Sequence, residues 1–94
     1  MRIALTHNLR LTESEDEAEF DSHETISALA RGFERAGHRV ERIDVTGPAS
    51  RLVARLEAVN PDIIFNTAEG RRGKMRRGFY PALFEELGFP ATGS

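Results

Sequence analysis

The sequence predicts an α/β fold, an open and mostly parallel sheet of strand order 2-1-3-4 flanked by three helices, on three observations. Short apolar runs alternate with segments of helical periodicity, in the order strand, helix, strand, helix, strand, helix, strand. Their connections are short, and no internal repeat or low-complexity linker interrupts them, which suits right-handed crossovers. The run Ile63-Ile64-Phe65 is unbroken, β-branched and aromatic, as expected of a strand covered on both faces of a parallel sheet.

The first strand starts almost at once, with Ile3 and Leu5 in a β-compatible run from Arg2 to Thr6 that ends near His7. From Asn8 to Asp21 apolar residues thin out, and Glu13, Glu15, Asp16, Glu17, Glu19 and Asp21 fall within nine positions. Most of these read as a solvated acidic loop, with one or two of them candidates for a site. Asp21 or Ser22 then caps a helix, Asp21 and Glu24 standing at capping-box spacing. Ile26, Leu29, Ala30 and Phe33 form its single apolar stripe, with Arg31, Glu34 and Arg35 off it, and Gly37 supplies the left-handed residue that ends it.

His38 to Val45, with Val40, Ile43 and Val45 among charges, reads as a second strand with a solvated edge. After the turn Thr46-Gly47, Pro48 is placed to open a second helix with the stripe Ala49, Leu52, Val53, Leu56 and Val59. Asn60-Pro61 ends it, because the residue before proline avoids helical geometry. The third strand, Ile63 to Phe65, runs directly into a segment with three glycines, one carboxylate and five cationic side chains. Phe79 to Leu87 is a third helix stopped by Gly88, and Phe89 to Thr92 begins a fourth strand. In this Rossmann-like order the acidic and basic segments leave the same carboxyl edge of the sheet on either side of the topological switch point, where such folds bind ligands.

Composition narrows the function classes. The chain has 94 residues, 39% hydrophobic and 30% charged, which suits one globular domain burying roughly 60–65% of its unfolded surface. No apolar run approaches the roughly 18 residues of a membrane helix, and a cytoplasmic location is expected. Without cysteine there is no disulfide framework, thiolate zinc site or cysteine nucleophile. A net charge of −2 argues against a dedicated nucleic-acid binder.

The motifs are selective in what they exclude. A phosphate loop ending at Lys74 needs Gly at 68 and Ser or Thr at 75, where the chain has Ala68 and Met75, and no G-x-G-x-x-G follows the first strand. A phospho-accepting receiver needs Asp at the end of the third strand, where Asn66 stands. Arg71, Arg72 and Lys74 remain candidates for phosphate or anion contact, against the simpler reading of a solvated basic loop. The three histidines show no metal-ligand spacing; His7 alone lies near the switch point and is a candidate ligand contact. Glu69, between a buried strand and Gly70, suits either an ammonium group or the ordering of the basic loop.

Two stretches carry a family resemblance: Phe65-Asn66-Thr67-Ala68-Glu69-Gly70, and Phe79 to Ser94 with its closing L-G-x-P-x-T-G-S pattern. Together with the helix from Ile26 and with Ile43-Asp44, they resemble the N-terminal, pre-ATP-grasp domain of the D-alanine–D-alanine ligase-like ATP-grasp family. The resemblance implies a parent enzyme whose further domains bind ATP and magnesium and form an acyl-phosphate that an amine attacks. It implies a substrate-side role for this segment, with an acid after the first strand holding the ammonium of an amino-acid or peptide substrate. Glu19 and Asp21 are the nearest counterparts, and Glu69, His7 and Asn66 complete the expected substrate edge. Two departures stand out: the first loop lacks the family's glycine-rich opening, and Asn66 to Gly70 replaces its histidine-glycine segment.

The expectation is therefore residues 1–94 as one pre-ATP-grasp domain, a fragment of a longer ATP-dependent carboxylate–amine ligase. It carries no catalytic residue, metal or cofactor of its own and is inactive alone. The competing reading is a stand-alone α/β domain that recognises a charged partner without catalysis. The third helix adds a further expectation. Phe79, Leu83 and Leu87 make one apolar row, Tyr80, Phe84 and Leu87 a second, and four of the seven aromatic residues lie in the last sixteen positions. A surface so apolar calls for a cover, either the missing ATP-grasp domains or a second copy, and a homodimer through Phe79 to Leu87 is expected.

Overall fold

A computed structural model describes residues 1–8, 22–70 and 78–92. Within them the elements are β1 (Arg2–His7), α1 (His23–Arg35), β2 (Arg39–Asp44), α2 (Ala49–Val59), β3 (Ile63–Asn66), α3 (Phe79–Glu86) and β4 (Ala91–Thr92). The strands form one sheet, ordered β2-β1-β3-β4 with every pair parallel, as the sequence predicts. β1 is central because it is the most apolar on both sides: Ile3 through His7 are all buried. β2 is an edge strand, and of its residues only Ile43 is fully buried.

Side-chain alternation along β1 sends successive residues to opposite faces and so builds two cores. Leu5 packs with Ile26 and Ala30 of α1, and Leu29, Val40 and Phe65 close the cluster. Phe33 meets Phe65 edge to face at 5.2 Å, so α1 is held to β3 as well as to β2. Ala4 faces the other way, with Ile43, Val45, Ile64 and Ala68, under Leu52 and Leu56 of α2 and Phe84 of α3. One helix thus covers one face and two cover the other.

The element ends follow from local chemistry, with a few displacements from the sequence reading. Ser22 caps α1, its Oγ accepting from the Thr25 amide at 3.2 Å. Gly37 and Gly88, at φ of 94° and 85°, end α1 and α3 in the left-handed conformation that disfavours a Cβ. Pro48 is the residue before α2 rather than its first, with extended backbone, and Ala49 is exposed rather than part of the buried stripe. β3 is less dry than its unbroken apolar run suggests. Ile64 is fully buried, whereas Ile63 and Phe65 are partly covered, on the face where, among the described residues, α1 is the one helix.

α3 needs a larger correction. Its two apolar rows are not equivalent: Phe84 is fully buried, and Tyr80, Leu83 and Leu87 pack partly against the core, while Phe79 is 47% exposed. The row through Phe84 is the core face, and the surplus apolar surface reduces to Phe79 and what borders it.

Candidate functional site

β1 and β3 lie side by side in register from Ile3↔Ile63 to Thr6↔Asn66, and then the chain leaves both in succession at the carboxyl edge. β1 continues to β2 on one side, β3 to β4 on the other, so this edge is the switch point. The last backbone pairing is reinforced twice over. The Thr67 amide donates to the Thr6 carbonyl at 2.9 Å, and the Thr67 hydroxyl donates to the same oxygen at 3.0 Å.

Beneath it sits a closed polar network. Thr6 and Asn66 are buried opposite one another, and the Thr6 hydroxyl donates to Asn66 Oδ1 at 2.8 Å. That oxygen also accepts from the Ala68 amide at 3.1 Å, while Asn66 Nδ2 donates to the Ala68 carbonyl at 3.1 Å. The Asn66 side chain therefore completes the turn out of β3 as backbone would elsewhere, satisfying both polar groups of buried Ala68. An aspartate here lacks the donor that the Ala68 carbonyl needs, which gives Asn66 a conformational reason to be an amide.

His7 is 5% exposed; its carbonyl accepts from the Val45 amide at 2.8 Å, and its ring Nδ1 is buried. Asn8, one residue past β1, is 2% exposed and reaches across to Glu69: its Nδ2 donates to the Glu69 carbonyl, and its Oδ1 accepts from the Glu69 amide at 3.4 Å. Glu69 itself is partly buried, with one carboxylate oxygen sealed from solvent, and Gly70 beside it is buried. His7, Asn66 and Glu69, expected at the substrate edge, are thus brought to one end of the β1–β3 pair. Glu19, Asp21, Arg71, Arg72 and Lys74 lie outside the described residues.

Asn8 was missed by sequence reasoning. A lone amide at the start of an acidic stretch carries no periodic signal, and only its position one step beyond a central strand hints at burial. Other surface grooves occupy different places. One of about 460 Å³, lined by Met1, Arg2, Gly37, Arg39, Asn60 and Asp62, lies at the opposite, amino edge of the sheet. There Arg2 is committed to structure, its amide donating to Asp62 at 2.7 Å and its guanidinium to the Val59 carbonyl at 2.9 Å. Among the described residues no group of His, Asp and Glu side chains is arranged to hold a metal ion, and no helix is long and apolar enough to cross a membrane.

Comparison with known proteins agrees with the resemblance carried by these strands. The chain is 40% identical over 68 residues to a D-alanine–D-alanine ligase of Moorella thermoacetica, a match covering 72% of this chain and 20% of that enzyme. It is 36% identical over 67 residues to the D-alanine–D-alanine ligase of Gluconobacter oxydans, and 35% over 68 residues to that of a Chelativorans species. No family model matches the chain, and no solved structure matches it. Over these residues the chain is a homologue of D-alanine–D-alanine ligases, and it spans about a fifth of the length of the curated relatives it matches.

Proposed function

We propose that this chain is the substrate-side, N-terminal domain of an ATP-dependent carboxylate–amine ligase of the D-alanine–D-alanine ligase-like kind, working in the cytoplasm. The observation that carries the reading is the coincidence of two facts. The chain shares 35–40% identity with such ligases over most of its length, and a partly buried carboxylate, Glu69, stands at the switch point where α/β sheets take their ligands. ATP and magnesium belong, in this reading, to ATP-grasp domains of the parent enzyme, and this domain supplies binding and orientation alone.

The chemistry asked of the edge is modest. A carboxylate with restricted access to water attracts an ammonium more strongly than a solvated one does, so Glu69, helped by an acid from Glu19 or Asp21, holds the amine-bearing substrate. Arg71, Arg72 and Lys74 are proposed to meet the anionic end of an amino-acid or peptide substrate or a phosphate. His7 completes the edge, and Asn66 sustains it from below.

The test is a kinetic split in the parent ligase. Glu69→Gln keeps the shape and removes the charge, and is expected to raise KM for the amine-bearing substrate about tenfold or more, the loss of roughly 1.4 kcal/mol or more of uniform binding. KM for ATP is expected to stay within about twofold. Equal changes in both constants would remove Glu69 from the substrate edge.

A further inference from the structure

The β1–β3 ladder ends at Thr6↔Asn66, yet the two chains stay joined two residues further on. The joint is made by one side chain. A carboxamide has the same donor and acceptor as a peptide group, and Asn8 presents them to the carbonyl and amide of the single residue Glu69. It extends the sheet by one rung without a backbone on its own side, so Glu69 remains paired beyond the last backbone rung. Asn8 is 2% exposed, so water does not compete for these bonds.

We propose that Asn8 is the positioning residue of this edge: its carboxamide holds the two peptide groups that flank the Glu69 Cα and, through them, the place of the Glu69 carboxylate. The substrate role of that carboxylate rests on the ligase reading; the clamp does not. The two contacts go to the two peptide units that flank the Glu69 Cα, one through its amide and one through its carbonyl, and so restrain the backbone on both sides of the side chain, which a single hydrogen bond does not. Asn8 is also the last residue before 9–21, and Glu69 and Gly70 are the last before 71–77. The clamp therefore ties together the roots of the acidic and basic segments and sets the separation at which they start, whatever ligand they meet.

The experiment uses the 94-residue chain and NMR. In the wild type, a through-hydrogen-bond coupling between Asn8 Nδ2 and the Glu69 carbonyl carbon is expected; its absence overturns the proposal without any variant. In Asn8→Ala, hydrogen exchange at the Glu69 amide is expected to speed by at least about tenfold more than at Thr67, because that amide loses its acceptor while Thr67 keeps its own. Thr67 is the internal control, because its amide bonds Thr6 and not Asn8. The Glu69 carboxylate carbon resonance is expected to move as well. Equal acceleration at Thr67 and Glu69, or an unmoved carboxylate resonance, would reduce Asn8 to general stability and overturn the proposal. Should Asn8→Ala not fold, Asn8→Ser takes the same readouts and the wild-type coupling still decides. If the clamp is found but Glu69→Gln leaves KM for the amine-bearing substrate unchanged, positioning stands and the substrate reading falls.

Discussion

Asn66 shows how much of the carboxyl edge of the sheet is held by a side chain that faces inward. Its side chain bridges Thr6 and both polar groups of Ala68 while fully buried. Asn66→Asp is nearly isosteric but sets a carboxylate oxygen against the Ala68 carbonyl. It is expected to destabilise the chain by about 1–3 kcal/mol, the cost of a buried group left unsatisfied, read as a lower urea midpoint. A midpoint unchanged from wild type would mean that the network relaxes to include the acid. At this scale the sequence was only partly legible. That His7 and Glu69 come to one edge was legible because His7 ends, and Glu69 follows, a strand whose apolar residues mark it as central. Asn8 was not, because its partners are backbone atoms sixty-one positions away and leave no trace in spacing.

Elements were legible wherever one physical signal set a boundary. Gly37 and Gly88 ended their helices as predicted, since the left-handed conformation they adopt is costly for any residue with a Cβ. Where two residues could serve, the choice depended on contacts that the sequence does not show. Ser22 was one of two candidate caps for α1, and its Oγ accepts from the Thr25 amide and meets the Thr25 hydroxyl at 3.0 Å. Ser22→Ala is expected to cost about 1 kcal/mol, seen as earlier thermal unfolding and faster amide exchange in the first turn of α1. An unaltered first turn would shift the capping role to a neighbour. Pro48 illustrates the opposite limit: its fixed φ fits the residue before a helix as well as the first residue in it, so the boundary of α2 moved by one.

For the whole molecule, strand order was legible because alternating strands and helices with short connections favour the common open α/β order 2-1-3-4, and the observed sheet has it, with β1 and β3 at the centre and β2 and β4 at the edges. What the sequence overstated was the free surface of α3, since helical periodicity cannot tell which of two apolar rows the sheet covers. The structure assigns the row through Phe84 to the core, which rules out Phe84→Glu as a probe of association, because it would bury a charge. The remaining surface centres on Phe79, 47% exposed, edge to face with Tyr80 at 4.9 Å, which in turn stacks on Phe84 at 6.2 Å. β4, both of whose residues are exposed, borders α3 at the edge of the sheet and pairs on one side with β3. An aromatic ring already packed on a half-buried neighbour loses less entropy on being covered than a free one, which makes Phe79 the anchor of the proposed homodimer. Phe79→Lys is expected to leave the urea midpoint nearly unchanged, as for a surface substitution of about 0.5 kcal/mol or less, yet to convert a dimer to a monomer. Light scattering at about 100 μM, where even a micromolar interface is well populated, reads the mass directly. A monomer already in the wild type would count against a second copy and leave the ATP-grasp domains of the parent as the proposed cover of this face.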